Sequence, residues 1–357
     1  RRNNEDLSFS RGSLCSYSLL GSQDQISNPR NLNNSNPNDL NNINKSIDYQ
    51  VDFSAPFQSN SEDLHKVKNA IIDLLNDRKL PLDSVSISIV DLSSNDCCKY
   101  TGFQDSVKRY PASVAKLFWI VALYQFYESN IPTPGNPVSK VDQWNMVYKS
   151  DNYAASKILD SLTGTQSGTS LNDSDLSSWI DKRLSINRFF QEAGYQNINI
   201  AQKTFPIPEQ NLNEPSGREL QLKNYLKRTY GEDNSRNYLT TFETARLLFE
   251  IDRGWKISND RRYDLKQYLL HDQNTSLFEN GYLNPIVGYF GANLPPDVFI
   301  YTKVGFTQND GRQEAAIIES KDGKFKYGLV IFANDPVFSQ EGETIFSDHK
   351  LVVTTAS

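Results

Sequence analysis

The pattern of apolar and polar positions divides the chain into a polar tail and a body of helices and strands. Residues 1–54 are polar and asparagine-rich, without helical or strand periodicity, and predict a disordered tail or linker. Over residues 61–75 the apolar positions fall on one side of a helix, which Ser61 is suited to cap. Residues 85–92 and 97–101 predict two strands of a hairpin that turns across 93–96.

The middle of the chain predicts helices, and the last third returns to strands. Residues 117–123 are apolar at every position, which is typical of a helix buried nearly all round. Periodicity predicts further helices at 141–149, 153–159, 184–193, 241–251 and 261–270. Three strands are predicted at 297–306, 313–319 and 325–332, the last two joined by a turn.

This order of elements indicates an α+β fold. We expect an antiparallel sheet built from both ends of the chain, with a helical subdomain inserted between them. The α/β part would comprise about 55–110 and 255–357, and the helical part about 111–254. The boundary between the two parts is where we expect an active site.

The first chemical motif is Ser113-x-x-Lys116, just ahead of the apolar helix. Residues three apart share a helix face, so the lysine could take the proton of the serine if burial lowers its pKa. Pro111 suits the first turn of such a helix, and there the dipole favours negative charge on a substrate. The alternative is a core helix with an incidental serine and a lysine that extends to solvent.

The second motif, Ser150-Asp151-Asn152, lies between two predicted helices. There Ser150 could relay a proton to a leaving nitrogen, and Asn152 could hydrogen-bond a substrate amide. The alternative is a plain helix cap, because Ser, Asp and Asn all favour that position.

The third motif, Lys303-Val304-Gly305, lies on a predicted strand. Lys303 would present a cation to a substrate carboxylate, and Gly305 would let the backbone approach the ligand. The N–H of Phe306 could pair with that of Ser113 as an oxyanion hole. The alternative is a lysine that protects a sheet edge.

In this order the three motifs resemble the S-x-x-K, S-D-N and K-T-G signature of the class A β-lactamases and penicillin-binding proteins. The resemblance covers about residues 60–335 and includes the continuation of the second motif through Ala154 and Ala155. It implies the β-lactamase/transpeptidase-like fold. It also implies that Ser113 is the nucleophile, Lys116 its base, Ser150 the proton shuttle, Asn152 a ligand of the substrate amide and Lys303 the carboxylate anchor.

The chain departs from that signature in the third motif and in its spacing. Val304 stands where the family has a hydroxyl residue, so we expect Thr302 or Thr307 to replace part of the lost hydrogen bonding to substrate. The gap between the first two motifs is short for the family, and the gap to Lys303 is long. Insertions are therefore expected near 163–178 and 211–237.

The largest departure concerns hydrolysis of the acyl-enzyme. Class A β-lactamases carry a glutamate that activates water, but the corresponding segment here has Thr204 or Phe205 followed by Pro206. Glu209 and Glu214 could replace it if the loop is rearranged, and are otherwise solvated carboxylates. Slow deacylation would follow, as in the cyanobacterial-type penicillin-binding proteins built on the class A fold.

Composition excludes several other classes of function. The net charge of −6 and pI near 5.3 give no general affinity for nucleic acid. The histidines, His65, His271 and His349, are too scattered for a metal site or a Ser-His triad, and no cofactor is expected. Three cysteines give no clear disulfide framework.

The tail and the family resemblance together indicate a location. The chain begins at Arg1 rather than methionine, so we expect a processed form that has lost an amino-terminal signal or membrane anchor. No apolar run is long enough to span a membrane. The family resemblance then implies an extracytoplasmic protein of the periplasm or cell envelope. It offers no prediction of oligomeric state.

The sequence therefore predicts a serine acyl-enzyme hydrolase that acts on β-lactam or D,D-peptide amides. Its ligand would be a small β-lactam or a peptidoglycan peptide. Three alternatives remain: a true β-lactamase with another water activator, a promiscuous esterase, and a non-catalytic module that binds cell-wall peptide.

Overall fold

The computed structural model describes residues 47–51, 61–93, 98–231, 236–254, 256–271, 286 and 288–339. The chain divides into the unit Arg1–Asn44, which lies outside these residues, and the compact unit Lys45–Ser357. The expectations for residues 1–46, 52–54 and 94–97 also fall outside them. The helices are α1 Glu62–Asp77, α2 Ala115–Glu128, α3 Lys140–Val147, α4 Asn152–Thr163, α5 Asp173–Ala193, α6 Gly217–Tyr230, α7 Thr241–Arg253 and α8 Asn259–Leu269.

Five strands form one antiparallel sheet in the order β2-β1-β5-β4-β3. They are β1 Val85–Asp91, β2 Tyr100–Phe103, β3 Val298–Thr307, β4 Gly311–Ser320 and β5 Lys326–Ala333. The centre of the sheet joins the two ends of the chain, because β1 pairs with β5 in a register that sets Val85 opposite Ala333. The predicted α+β fold, with a sheet from both chain ends and helices inserted between, is confirmed.

The sheet is covered on both faces, which explains why β1 is buried at nearly every position. On one face α1 packs through Val67, Ile71 and Leu75. On the other face α7 packs against β1, β4 and β5. The cap predicted for α1 is present, since Ser61 Oγ accepts a hydrogen bond from Leu64 N at 3.3 Å.

Helix α2 forms the core of the helical half. Every residue from Ala115 to Gln125 is buried, as the unbroken apolar run predicts. Trp119, fully buried, donates its Nε1–H to Ile200 O at 3.0 Å and so ties α2 to the segment after α5. The first turn of α2 is thereby fixed against the rest of the core.

Both expected insertions contain helix that periodicity missed. Helix α5 begins at Asp173, capped by Asn172, rather than at residue 184. Helix α6 was not predicted, because it buries only Glu219, Leu222 and Leu226. Two buried leucines on a helix of 14 residues give too weak an apolar stripe to recognise.

Residues 47–51 pack against the helical half, although composition groups them with the tail. Tyr49 is 3% exposed, its ring stacks on Phe189 at 5.4 Å, and its hydroxyl donates to Glu250 Oε2 at 2.5 Å. Val51 N donates to Ala193 O at 2.8 Å. The compact body thus includes residues on the tail side of the boundary at 54.

Cys98 is buried and disulfide-bonded, which the cysteine count did not predict. Its partner lies outside the described residues.

We predict that Tyr49 contributes to the stability of the whole body. Tyr49→Ala should lower the free energy of unfolding by about 3 kcal/mol, because a large buried aromatic side chain is lost. Tyr49→Phe should lower it by about 1 kcal/mol, since only the hydrogen bond to Glu250 is removed. Urea denaturation followed by tryptophan fluorescence measures both. A chain that starts at residue 45 is the reference, and equal midpoints for a chain that starts at residue 55 would contradict the prediction.

Candidate active site

Ser113 lies in a short 3-10 helix, Ala112–Val114, directly before α2. The sequence placed Ser113 and Lys116 on one α-helix, whereas the structure places the serine one turn ahead of it. Ala112 has φ 44°, a left-handed conformation that is uncommon for a residue with a side chain. The serine is half-buried, and its hydroxyl forms no hydrogen bond with any other described residue. A strained turn thus carries the Ser113 hydroxyl, which has no hydrogen-bond partner among the described residues.

Lys116 is fully buried in the first turn of α2 and points to the second motif. Its Nζ donates to Ser150 O at 2.5 Å and to Asn152 Oδ1 at 2.7 Å, and lies 3.3 Å from Ser150 Oγ. Burial, and then the charge of Lys303, lower the pKa of this amine well below its ordinary value. A neutral amine with two donated hydrogen bonds keeps a lone pair available to accept a proton.

The second motif forms the turn between α3 and α4. Asp151 is the N-cap of α4, its Oδ1 accepting from Ala154 N at 2.6 Å. Ser150 has φ 59°, again left-handed. The capping role expected as an alternative therefore falls to Asp151, which leaves the side chains of Ser150 and Asn152 directed at Lys116.

Lys303 completes the cluster from β3. Its side chain is buried, with Nζ 2.8 Å from Ser150 Oγ and 3.0 Å from Val304 O. Burial lowers its pKa to about 7. Although β3 is an edge strand, this lysine points into the molecule, so it does not serve to protect the edge. Ser150 Oγ lies between the two lysine nitrogens.

Gly305 lets β3 pack directly against the turn that contains Ser113. A Cβ at this position would lie 2.8 Å from Pro111 O and 3.0 Å from Ser113 N, too close to backbone for any side chain. Phe306 follows on the strand, half-buried, with the Arg312 guanidinium 5.2 Å from its ring. Strand and turn are brought together at the place where an oxyanion hole was expected.

Neither threonine offers a free hydroxyl in place of Val304. Thr302 lies on the opposite face of β3 from Lys303, fully buried, and donates to Glu314 Oε1 at 2.7 Å, so its expected role is wrong. Thr307 donates to Asp310 Oδ2 at 2.6 Å. The same carboxylate is paired with Arg236 at 2.8 Å, a cation beside the strand that sequence reasoning missed.

Beside Asn152 lies the backbone of the loop after α5. Asn152 Nδ2 donates to Pro206 O at 2.9 Å, and the half-buried Phe205 precedes this proline. Glu209 and Glu214 are exposed, and in the described part of the chain neither forms a hydrogen bond or ion pair. The loop therefore brings no carboxylate to Lys116.

Buried polar groups hold this loop in place. Asn237 exchanges two hydrogen bonds with the backbone of Gln202, at 2.8 and 2.9 Å, and so closes the base of the loop. Lys203, buried beside Asp160, donates to it at 2.7 Å. No sequence signal marked these residues, because charged side chains in a polar segment are usually solvated.

Within the ranges that the structure describes, no group of His, Cys, Asp and Glu is arranged to hold a metal ion. The same ranges contain no helix of the length and apolarity needed to cross a membrane.

The sequence matches the model of a known protein family. The model of the Beta-lactamase enzyme family (Beta-lactamase2) matches residues 142–349, more than half of the chain. No curated protein matches the sequence.

Solved structures share the fold at low identity. A class A β-lactamase from Bacteroides cellulosilyticus DSM 14838 has a TM-score of 0.52 and 17% identity, covering 83% of this chain and 99% of that one. A β-lactamase from Chitinophaga pinensis DSM 2588 has a TM-score of 0.53 and 13% identity, with 82% and 99% covered. A mutant of PBP-A, an acyl-enzyme complex with penicillin G, has a TM-score of 0.53 and 16% identity, with 82% and 96% covered. The chain belongs to the beta-lactamase enzyme family and is a serine β-lactamase-like hydrolase with the class A fold.

Proposed function

We propose that the protein is a penicillin-binding hydrolase in which Ser113 is acylated by β-lactam or D,D-peptide amides and the acyl-enzyme is hydrolysed slowly. One observation carries this proposal. The proton-transfer groups Lys116, Ser150 and Lys303 are assembled beside Ser113, whereas the loop next to Asn152 supplies Phe205 and Pro206 instead of a carboxylate.

Acylation follows from the lysine pair. Neutral Lys116 takes the proton as Ser113 Oγ bonds to the substrate carbonyl carbon. The N–H groups of Ser113 and Phe306 stabilise the resulting oxyanion. As the carbon–nitrogen bond breaks, Ser150 gives its proton to the leaving nitrogen and is reprotonated by Lys116, whose Nζ lies 3.3 Å away. The proton of the nucleophile thus ends on the leaving group.

Substrate is held from both sides of this relay. Asn152 hydrogen-bonds the amide of the acyl part, on the side where its own Nδ2 meets Pro206 O. Lys303 attracts the substrate carboxylate, and Gly305 allows strand β3 to lie close to the substrate. The Val304 side chain is buried in the core and has no group that can form a hydrogen bond. Recognition of the substrate carboxylate therefore depends more heavily on Lys303.

Deacylation lacks the group that class A β-lactamases use. A glutamate activates water in those enzymes, whereas no carboxylate of the described residues forms a hydrogen bond with the side chain of Lys116 or Ser150. The ester on Ser113 should therefore persist, as expected of a D,D-peptidase-like protein rather than an efficient lactamase. That a PBP-A mutant on the same fold was captured as a penicillin G acyl-enzyme is consistent with this reading.

We infer that the D,D-peptide substrate would be a peptidoglycan peptide and that the protein acts in the cell envelope. The disulfide at Cys98 supports an oxidising, extracytoplasmic compartment.

Benzylpenicillin should acylate Ser113 and stay attached. We expect intact-mass spectrometry to show one adduct per chain that lasts minutes or longer, against turnover of about 10 s⁻¹ for a typical enzyme. Ser113→Ala should show none. Rapid loss of the adduct with product release would mean a true β-lactamase. No adduct with penicillins or acyl esters would favour the binding module.

Introducing a carboxylate at the loop should speed hydrolysis of that adduct. Phe205→Glu is expected to raise the deacylation rate at least about tenfold, the low end for an added general base that is not yet optimally placed. Phe205→Gln has nearly the same shape without the base and is the matched control. Equal deacylation rates for the two variants, measured by decay of the adduct mass, would contradict the assigned loop position.

Acylation should weaken above neutral pH. Since the pKa of Lys303 is lowered to about 7, the free enzyme loses this cation as the pH rises through 7, and the second-order acylation rate for a carboxylate-bearing β-lactam should fall. A β-lactam with the carboxylate esterified should not show this fall, because it makes no ion pair. Parallel pH profiles for the acid and the ester would show that Lys303 is not the carboxylate anchor.

A further inference from the structure

An open groove of about 1280 Å³ runs along α4 in the helical half. Its walls come from residues 164–170, from residues 210–218 and from the loop 134–138 before α3. The first two segments fall within or at the edge of the regions where the sequence indicated insertions relative to the family. The two expected insertions therefore line the same surface groove.

The two insertions are joined to each other, so the groove is a built feature. Gly217 has φ 53°, and a Cβ there would lie 2.0 Å from Gly168 O, which excludes every side chain. Arg218 N donates to the same carbonyl at 3.1 Å. Gln221 exchanges two hydrogen bonds of 2.9 Å with the backbone of Leu171. These contacts fix one groove wall against the other.

The groove adjoins the candidate active site along α4. Tyr153, which lines it, follows Asn152 directly in α4. Gln210, on the opposite wall, lies four residues after Pro206 and receives a hydrogen bond from Ser156 at 3.3 Å. An acyl chain that leaves the site over the hydrogen bond between Asn152 and Pro206 and follows α4 would reach the groove.

One cation that lines the groove forms no ion pair with any described residue. Lys157 is paired with Asp142 at 2.9 Å, and Asp160 is paired with Lys203 at 2.7 Å. Arg218 donates its Nε–H to Thr169 O at 3.1 Å but forms no ion pair within the described part of the chain. Its terminal nitrogens are a fork suited to a carboxylate.

We propose that this groove is an accessory substrate subsite, in which Arg218 binds a carboxylate on the acyl part of an elongated substrate. The proposal rests on the proposed function, since the acyl part is the one held by Asn152 and retained on Ser113. An acyl chain that carries an acidic group several bonds from the reacting carbonyl would use both sites at once. Small penicillins would use the catalytic cleft alone.

The test compares penicillins that differ only at the end of the acyl side chain. One series ends in a carboxylate and the other in the matching carboxamide, on flexible linkers of increasing length. The acylation rate of Ser113, followed by intact mass, should favour the acid over the amide by about five- to tenfold at the linker length that reaches Arg218. Arg218→Gln, which keeps a donor for Thr169 O, should abolish the preference, and Arg218→Lys should keep most of it.

Arg228→Gln is the matched control, because it removes one positive charge from the exposed end of the same helix, outside the groove. It should leave the acid-to-amide ratio unchanged. Equal rates for acid and amide at every length, with normal acylation by benzylpenicillin, would overturn the subsite alone. An equal loss of the preference in both variants would overturn it as well, by assigning the effect to net charge. Failure of benzylpenicillin to acylate the parent protein would overturn the proposed function and the subsite together.

Discussion

The burial of the Lys116 amine is the constraint on which the site depends. An ammonium in the core loses its hydration, and in the described residues no carboxylate forms an ion pair with it. Its hydrogen bonds to Ser150 and Asn152 provide acceptors for the buried N–H groups. The left-handed backbone of Ser150 turns these acceptors toward it. Burial thus lowers the pKa of an ordinary side chain, as its proposed role as a base requires, and the packing of α2 maintains that burial.

The position of Lys303 shows how the sheet contributes to a site that is otherwise built on helices. Lys303 reaches Ser150 because β3 is the edge of the sheet nearest the nucleophile turn, with Gly305 packed on Ser113. The sheet is closed by pairing between β1 and β5, from opposite ends of the chain. The first and third motifs lie almost two hundred residues apart in the chain, and their relative position depends on strand pairing remote from both.

In the proposed reaction, the loop after α5 is the reason why acylation is favoured over deacylation. It is held by Asn237 at its base and by the pairing of Lys203 with Asp160 of α4, and it meets the site through the Pro206 carbonyl, which accepts a hydrogen bond from Asn152. The lengthened chain between Pro206 and Asn237 forms α6 and one wall of the groove. Under the proposed function, this arrangement favours retention of an acyl group, and the groove would contact a longer substrate.

The sequence by itself determined the order of elements, the buried helix and the three motifs, because each depends on local periodicity or on residues adjacent in the chain. The tertiary structure decided what these patterns could not contain. Thr302 and Lys303 are neighbours in sequence but face opposite sides of β3, so only one enters the site. The polar helix α6, the packing of Tyr49 and the pairing of Lys203 with Asp160 all involve partners far away in the chain. Burial of polar and charged groups is a property of the assembled core, and no stretch of sequence carries it.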